Sequence, residues 1–246
     1  ILAYKRRYIE KPAKLSATKP NQEKLMYGFL VVLVVIGFII EGVRILGTGM
    51  PEGEKIWAPV GYSLALLFQS FNLSDQFWSI SYRSLWMFHM VNTMAFIAII
   101  PFSKFFHFFA IPFNALVSPT RQPPIMQTMD FEDENAESFG LGSVAEMSMK
   151  NRLDLLSCVE CGRCSDACPA MGSGKILNPK TIISKARDHA LLNNLDNLWD
   201  EGPIYQSNEL DACTTCGACV EECPANINHL SIILESKRYK TLTLGD

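Results

Sequence analysis

Eight cysteines, all lying between Cys158 and Cys223, constrain this chain more than any other feature. They form two runs, Cys158-Val-Glu-Cys161-Gly-Arg-Cys164-Ser-Asp-Ala-Cys168-Pro169 and Cys213-Thr-Thr-Cys216-Gly-Ala-Cys219-Val-Glu-Glu-Cys223-Pro224, the second 55 positions after the first. Both follow C-x2-C-x2-C-x3-C-P. At that spacing one loop wraps three thiolates around three corners of a cubane, and the fourth cysteine reaches toward the other cluster. The pattern predicts two 4Fe-4S clusters, one on Cys158, Cys161, Cys164 and Cys223, the other on Cys213, Cys216, Cys219 and Cys168. Structural zinc usually takes two C-x2-C pairs and fits two complete runs poorly. With every cysteine used, none is left for a separate disulfide or reactive thiol. Gly162 and Gly217 hold equivalent places, where a residue without Cβ lets the backbone bend tightly toward the cluster.

Ahead of the cysteines the chain is apolar. Leu25 to Ile40 is sixteen residues without a charge, and the stretch closes at Leu46 after Glu41 and Arg44, giving 22 residues; about 20 span a bilayer. Ser84 to Phe102 adds nineteen uncharged residues, interrupted by polar His89, Asn92 and Thr93. Helices of soluble proteins rarely lack a polar face over such a length, so both segments are expected to cross a membrane, in keeping with the 48% hydrophobic content. Pro59 to Phe71 is too short to span and is expected to be an interfacial helix opened by its proline, with Trp57, Tyr62, Trp78, Tyr82 and Trp86 near a headgroup boundary.

Residues 5 to 24 carry seven Lys and Arg, whereas residues 47 to 82 carry only Lys55. The positive-inside asymmetry places the N-terminal segment in the cytoplasm. Two crossings return the chain to that side, where reducing conditions keep thiolates available for metal. The first residue is Ile1 and no signal peptide is visible, so the natural N-terminus is expected upstream. The expected fold is mainly α, with membrane helices followed by an α-helical two-cluster ferredoxin-like domain. Its layout is a membrane domain over 1–118 (spans at 25–46 and 84–117, interfacial helix at 59–71), a proline-rich and acidic linker over 119–142, and a cytoplasmic two-cluster domain over 143–246.

Within the last domain, Val144 to Leu156 has helical spacing and leads into Cys158. The 44 residues between Cys168 and Cys213 exceed what a minimal two-cluster ferredoxin needs. Asn178 and Pro179 make an N-cap and first turn for a helix burying Ile182, Ile183 and Ala186. A second helix is expected after Asn228, burying Leu230, Ile233 and Leu234. His189 and His229 are expected as surface or capping residues. The first motif carries Glu160, Arg163 and Asp166, net −1, and the second Glu221 and Glu222, net −2. The cluster on Cys213, Cys216 and Cys219 is therefore expected to have the lower potential.

A net charge of −3 supplies no concentrated basic face for nucleic acid. Neither a dinucleotide fingerprint nor a nucleophile elbow marks a substrate pocket. His89 and His107 are functional candidates, because a membrane helix has little structural use for imidazole. Eighteen residues apart, about five turns of a helix, they are expected on one face of a single helix, roughly 27 Å from each other, with a kink between them at Pro101.

Leu85 to Leu116, with His89, Pro101-Phe102-Ser103-Lys104, His107 and Pro112, resembles the last transmembrane helix of the respiratory nitrate reductase gamma subunit, a dihaem cytochrome b. The cysteine domain resembles the iron-sulfur domain of heterodisulfide reductase and of succinate dehydrogenase. Joined in this order, the two are similar to membrane-bound iron-sulfur proteins that pass electrons from electron-transferring flavoprotein to menaquinone. The resemblance implies His89 as a ligand of an outer b haem and His107 of an inner one. Each haem needs a second ligand from outside this sequence, since the family's earlier helices with the opposing histidines have no counterpart before Leu25. The family also continues into cysteine-rich repeats beyond the point matching Asp246, so an excerpt of a longer protein, or a natural split, is expected. The implied function is an electron-transfer subunit of the inner (cytoplasmic) membrane. It would link electron-transferring flavoprotein, or another cytoplasmic redox subunit, to menaquinone through two 4Fe-4S clusters and two b haems. A catalytic oxidoreductase of the heterodisulfide reductase type and a membrane-anchored redox sensor are the alternatives.

Overall fold

The computed structural model describes residues 2, 5–10, 20–118, 128–129, 131–132, 138–191, 198–199 and 204–245. The described residues are mainly helical, with no strand among them. They divide into two compact units, one of residues 19–100 and one of residues 1–18 and 101–246.

The first unit contains α1 (Pro20–Gly47), α2 (Pro59–Gln69) and α3 (Asp75–Ile99). Both long helices start earlier than hydropathy alone predicts, because a helix runs on through its polar flank to a cap. At α3 that cap is Ser74, whose Oγ accepts from the Phe77 N–H at 3.3 Å. Helices α1 and α2 approach closely at small residues. A Cβ on Gly42 would lie 2.8 Å from Leu64 Cβ, so no larger residue fits that crossing. Large apolar side chains instead point outward, among them Val31, Val34, Phe88, Val91 and Ile97. None of the most apolar window of Asp75–Phe102 is buried, and length and hydropathy qualify both Glu23–Gly47 and Asp75–Phe102 to cross a bilayer.

The single helix expected over 84–117 is broken. After Ile99 come two 3-10 turns, Ile100–Phe102 and Lys104–Phe106, and only then α4 (His107–Val117). Pro101 has no N–H to continue the α ladder and its ring crowds the preceding turn. A 3-10 turn advances about 3.0 residues per turn and about 2.0 Å per residue. The count of five turns along one helix therefore does not carry from His89 to His107, and the two histidines belong to different units.

In the second unit α4 is turned inside out. It buries Ala110 and Asn114 and exposes Phe108, Phe109, Phe113 and Leu116. Asn114 Nδ2 donates to Asp154 Oδ1 at 2.8 Å and to the Ala225 carbonyl at 2.9 Å, docking α4 on α5 (Met149–Ser157). Helix α5 starts later than its apolar spacing predicts, because Ser148 Oγ accepts from the Asn151 N–H at 3.1 Å and caps it there. Val144 is buried in the preceding turn instead. Asn178 caps α6 (Pro179–Leu191), its Oδ1 accepting from the Lys180 N–H at 3.1 Å. Asn228 caps α7 (His229–Tyr239) in the same way through the Ser231 N–H at 3.1 Å. The core joins Leu155, Ile182, Ile183, Leu210, Ile232 and Ile233; Ile232 takes the inward place expected of Leu234, which is half-buried. Leu141, at the end of the segment expected as linker, packs into this core, and its N–H donates to the Glu235 carbonyl at 2.9 Å. Asp130, Asp133, Glu134 and Glu137 of that segment, and Lys11, Lys14 and Lys19 of the basic N-terminus, lie outside the described residues.

Candidate iron-sulfur and haem sites

The two cysteine loops share one backbone course. Glu160 and Gly162 take left-handed φ of 55° and 81°, and 55 positions on Thr215 and Gly217 take 56° and 82°. One-turn helices Arg163–Asp166 and Ala218–Glu221 follow at the same offset. Glycine adopts such a φ without cost; Glu160 does not, and its carboxylate is held by Arg187 Nη2 at 2.6 Å. Arg187 Nη1 also donates to the Cys158 carbonyl at 3.1 Å, and Lys237 Nζ donates to the Cys213 carbonyl at 3.1 Å. Arg187 stands nine residues after Asn178 and Lys237 nine after Asn228, so the repeat extends through the helices. Aligning the two halves on their N-cap asparagines would have revealed this pair from sequence.

Each loop lends its fourth cysteine to the other. Cys158, Cys161, Cys164 and Cys223 line one cavity, and Cys168, Cys213, Cys216 and Cys219 line a second. Among the described residues no three His, Cys, Asp or Glu side chains converge on a single ion. Four thiols around each cavity, three from one loop and one from the other, suit a cubane. Burial pushes the Cys158 thiol up to about 11, and burial with neighbouring cysteines pushes Cys164 and Cys219 up to about 12.

Two residues on the first cavity carry no site signal in the sequence. Lys180 is 1% exposed and lines it. His229, expected at the surface or as a cap, is also 1% exposed and lines the same cavity. Its place directly after the cap Asn228 turns it inward with the first turn of α7. Burial pushes its imidazole down to about 4, so it is neutral, and its Nδ1 lies 3.2 Å from the Ile227 carbonyl. His189 is half-buried.

In the first unit His89 is half-buried on α3, and its Nδ1 is buried without a hydrogen-bond partner. Across from it on α1, a Cβ on Gly37 would stand 3.7 Å from His89 Cε1. A half-buried imidazole beside a residue with no side chain fits a haem site. His107, at the start of α4, stacks on Phe108 with ring centroids 4.6 Å apart.

Residues 1–124, half of the chain, match the nitrate reductase gamma subunit family. The chain belongs to that family. Residues 154–227 match the 4Fe-4S dicluster domain, a stretch that includes all eight cysteines. The "EtfAB:quinone oxidoreductase" of Syntrophomonas wolfei subsp. wolfei is 32% identical over 98% of this chain and 38% of the relative. The "Probable iron-sulfur-binding oxidoreductase FadF" of Bacillus subtilis is 29% identical over 99% of this chain and 39% of the relative. One subunit of the ferredoxin/F(420)H(2)-dependent CoB-CoM heterodisulfide reductase of Methanosarcina acetivorans is 41% identical over 35% of this chain and 46% of the relative. The chain spans less than half the length of these curated relatives. No solved structure matches it. Gamma-subunit helices and a dicluster domain in one chain make this a membrane iron-sulfur protein of electron transfer.

Proposed function

We propose that the chain is the electron-relay part of a quinone-linked oxidoreductase, passing electrons between electron-transferring flavoprotein, or another cytoplasmic redox subunit, and menaquinone. The observation that carries this reading is the pair of four-cysteine cavities, in a chain whose longest helices turn their apolar side chains outward. Two 4Fe-4S clusters and b haem, when bound, supply the one-electron chemistry. The chain's own residues do the rest. The eight cysteines hold the clusters across the two loops, and Arg187 and Lys237 fix the loop carbonyls at Cys158 and Cys213. His89 would hold one b haem and His107 the second. Further axial ligands come from residues outside this sequence. The basic N-terminal segment sets the iron-sulfur unit on the cytoplasmic side of the inner membrane, with the chain crossing more than once.

The test uses the complete purified complex. Adding a menaquinol analogue anaerobically should reduce both the clusters and the b haem, and the matching quinone should reoxidise them. His89→Ala and His107→Ala should each remove about half of the reduced-minus-oxidised b-type signal. No electron exchange with the quinone pair, or an unchanged haem content in both variants, would overturn the corresponding part of this reading.

A further inference from the structure

The internal repeat gives each residue beside one cavity a counterpart beside the other. Counted from the caps Asn178 and Asn228, Pro179 corresponds to His229, Lys180 to Leu230 and Arg187 to Lys237. The first cavity is lined by Lys180 of α6 and His229 of α7, the second by Pro179 of α6 and Leu230 of α7. Exchanging the helices therefore exchanges the cavities. Arg187 and Lys237 are matched, since each donates to the carbonyl of its loop's first cysteine at 3.1 Å. Lys180 and Leu230 are not.

The mismatch changes the charge of the walls. Glu160, Arg163 and Lys180 line the first cavity, and Glu160 is paired with Arg187 at 2.6 Å. Among the described residues no charged side chain lines the second, and Lys237 stands at its Cys213 carbonyl as Arg187 stands at that of Cys158. Lys180 is almost wholly buried, so water and salt screen its ammonium far less than they screen the exposed Glu221 and Glu222. The cavities also differ in what stands behind them. Ala225 lines the first, and its carbonyl accepts from Asn114 of α4 at 2.9 Å, so one peptide separates that cavity from the apolar helix.

We propose that Lys180 makes the two sites electrically unequal, giving the site of Cys158, Cys161, Cys164 and Cys223 the higher reduction potential and making it the relay's end beside α4. This rests on the electron-relay function proposed above. A buried cation favours the form that carries the extra negative charge, so an electron moves from the site of Cys168, Cys213, Cys216 and Cys219 to the Lys180 side. The Lys180-side site is reduced as the other is oxidised, one electron for one, with no proton or third reactant. The charges of the motifs alone point to the same order for a different reason, the acidity of Glu221 and Glu222. Lys180 separates the two causes.

An anaerobic redox titration of the purified complex, followed by electron paramagnetic resonance, tests this, with Cys161→Ser and Cys216→Ser identifying each signal. In the natural protein the signal of the Lys180 side should appear at the higher potential. Lys180→Met should lower that midpoint by at least the equivalent of tenfold in the reduction equilibrium, about 59 mV for one electron, and leave the other in place. Lys180→Arg should stay close to the natural value. If Lys180→Met does not assemble its cluster, Lys180→Gln gives the same comparison, and the order in the natural protein stands without any variant. A reversed order, or a charge-removing variant that shifts both midpoints alike or neither, overturns the proposal alone. Two clusters with the selective shift but no exchange with quinone would overturn the functional reading alone. Fewer than about eight iron atoms per chain in the natural protein would overturn both.

Discussion

Helices α3 and α6 draw on similar apolar residues and turn them opposite ways. Helix α6 buries Ile182, Ile183 and Ala186 against the rest of its unit, whereas α3 buries no residue and leaves Trp86, Phe88, Val91 and Ile97 outward. In water each Å² of apolar surface left uncovered forgoes about 25 cal/mol, so a helix of α3's length with no fully buried residue is stable only in apolar surroundings. The difference teaches that apolar content by itself does not locate a core. On α6 charged residues interrupt the apolar ones at Lys180, Lys185, Arg187 and Asp188, whereas on α3 none does from Ser84 to Ile99. Helix α4 lies between these cases, too short to span, with Asn114 turned in and its phenylalanines turned out.

The harshest way to break this comparison is to place one carboxylate on each kind of helix. Ile183 is 0% exposed, and Ile183→Asp should cost more than about 4 kcal/mol by burying an unpaired charge, read as lost iron and a collapsed urea midpoint. Val34 is 57% exposed on α1. In water Val34→Asp would be nearly silent, but at the centre of a membrane helix it should cost about 2.5–3.5 kcal/mol of insertion while cluster content stays unchanged. A microsomal insertion assay in which Val34→Asp matches Val34→Ala would show that the outward face of α1 does not meet lipid.

Much of this is legible in the sequence because cysteine spacing and hydrophobic run length are local signals. The crossed pairing of Cys168 and Cys223 follows from the motif itself, and the caps at Asn178 and Asn228 stand where their side chains predict. What escapes depends on tertiary context. Pro101 marks a kink, but nothing local announces that α3 stops at Ile99 and hands over to two 3-10 turns before His107. A lone histidine after a cap looks like a surface residue, and only packing of α7 against the first loop turns His229 into the cavity wall. A lysine in a first turn is usually solvated, and only the comparison with Leu230 makes Lys180 unusual.

A gentler perturbation sharpens the intermediate case of α4. Asn114 is 0% exposed and joins α4 to Asp154 and to the loop after Cys223. Asn114→Leu keeps the volume and removes the donor, leaving the Ala225 carbonyl short of a partner while Asp154 Oδ1 keeps Lys150 Nζ. The expected cost is about 1–3 kcal/mol, visible as faster hydrogen exchange across α4 with α7 unchanged. Burial already pushes the Asp154 carboxyl above its ordinary range, with Lys150 and Asn114 drawing it back, so the variant should also raise it further. Unaltered protection of α4 would mean that its outward phenylalanines, not this polar contact, hold it in place.

The smallest effect concerns what inward turning does to an ionisable ring. His229 occupies the position that Pro179 holds in the other half, and its imidazole is pushed down to about 4 by burial. As pH falls, the unfolded chain takes up the proton first, near the ordinary value of about 6.5, while the folded ring stays neutral. The stability that His229 allows above about pH 6.5 is therefore lost progressively toward pH 4, amounting to about 2 kcal/mol at pH 5. His229→Gln fills the site with a group that does not titrate. Acid also attacks iron-sulfur clusters, but it does so in both proteins, so the informative quantity is the difference between their urea midpoints at pH 7 and pH 5. The natural protein should lose about 2 kcal/mol more than the variant between those two values. Equal losses would mean that the ring takes up its proton in the folded state, as a hydrated histidine would, and that the wall of the first cavity is wetter than its 1% exposure implies.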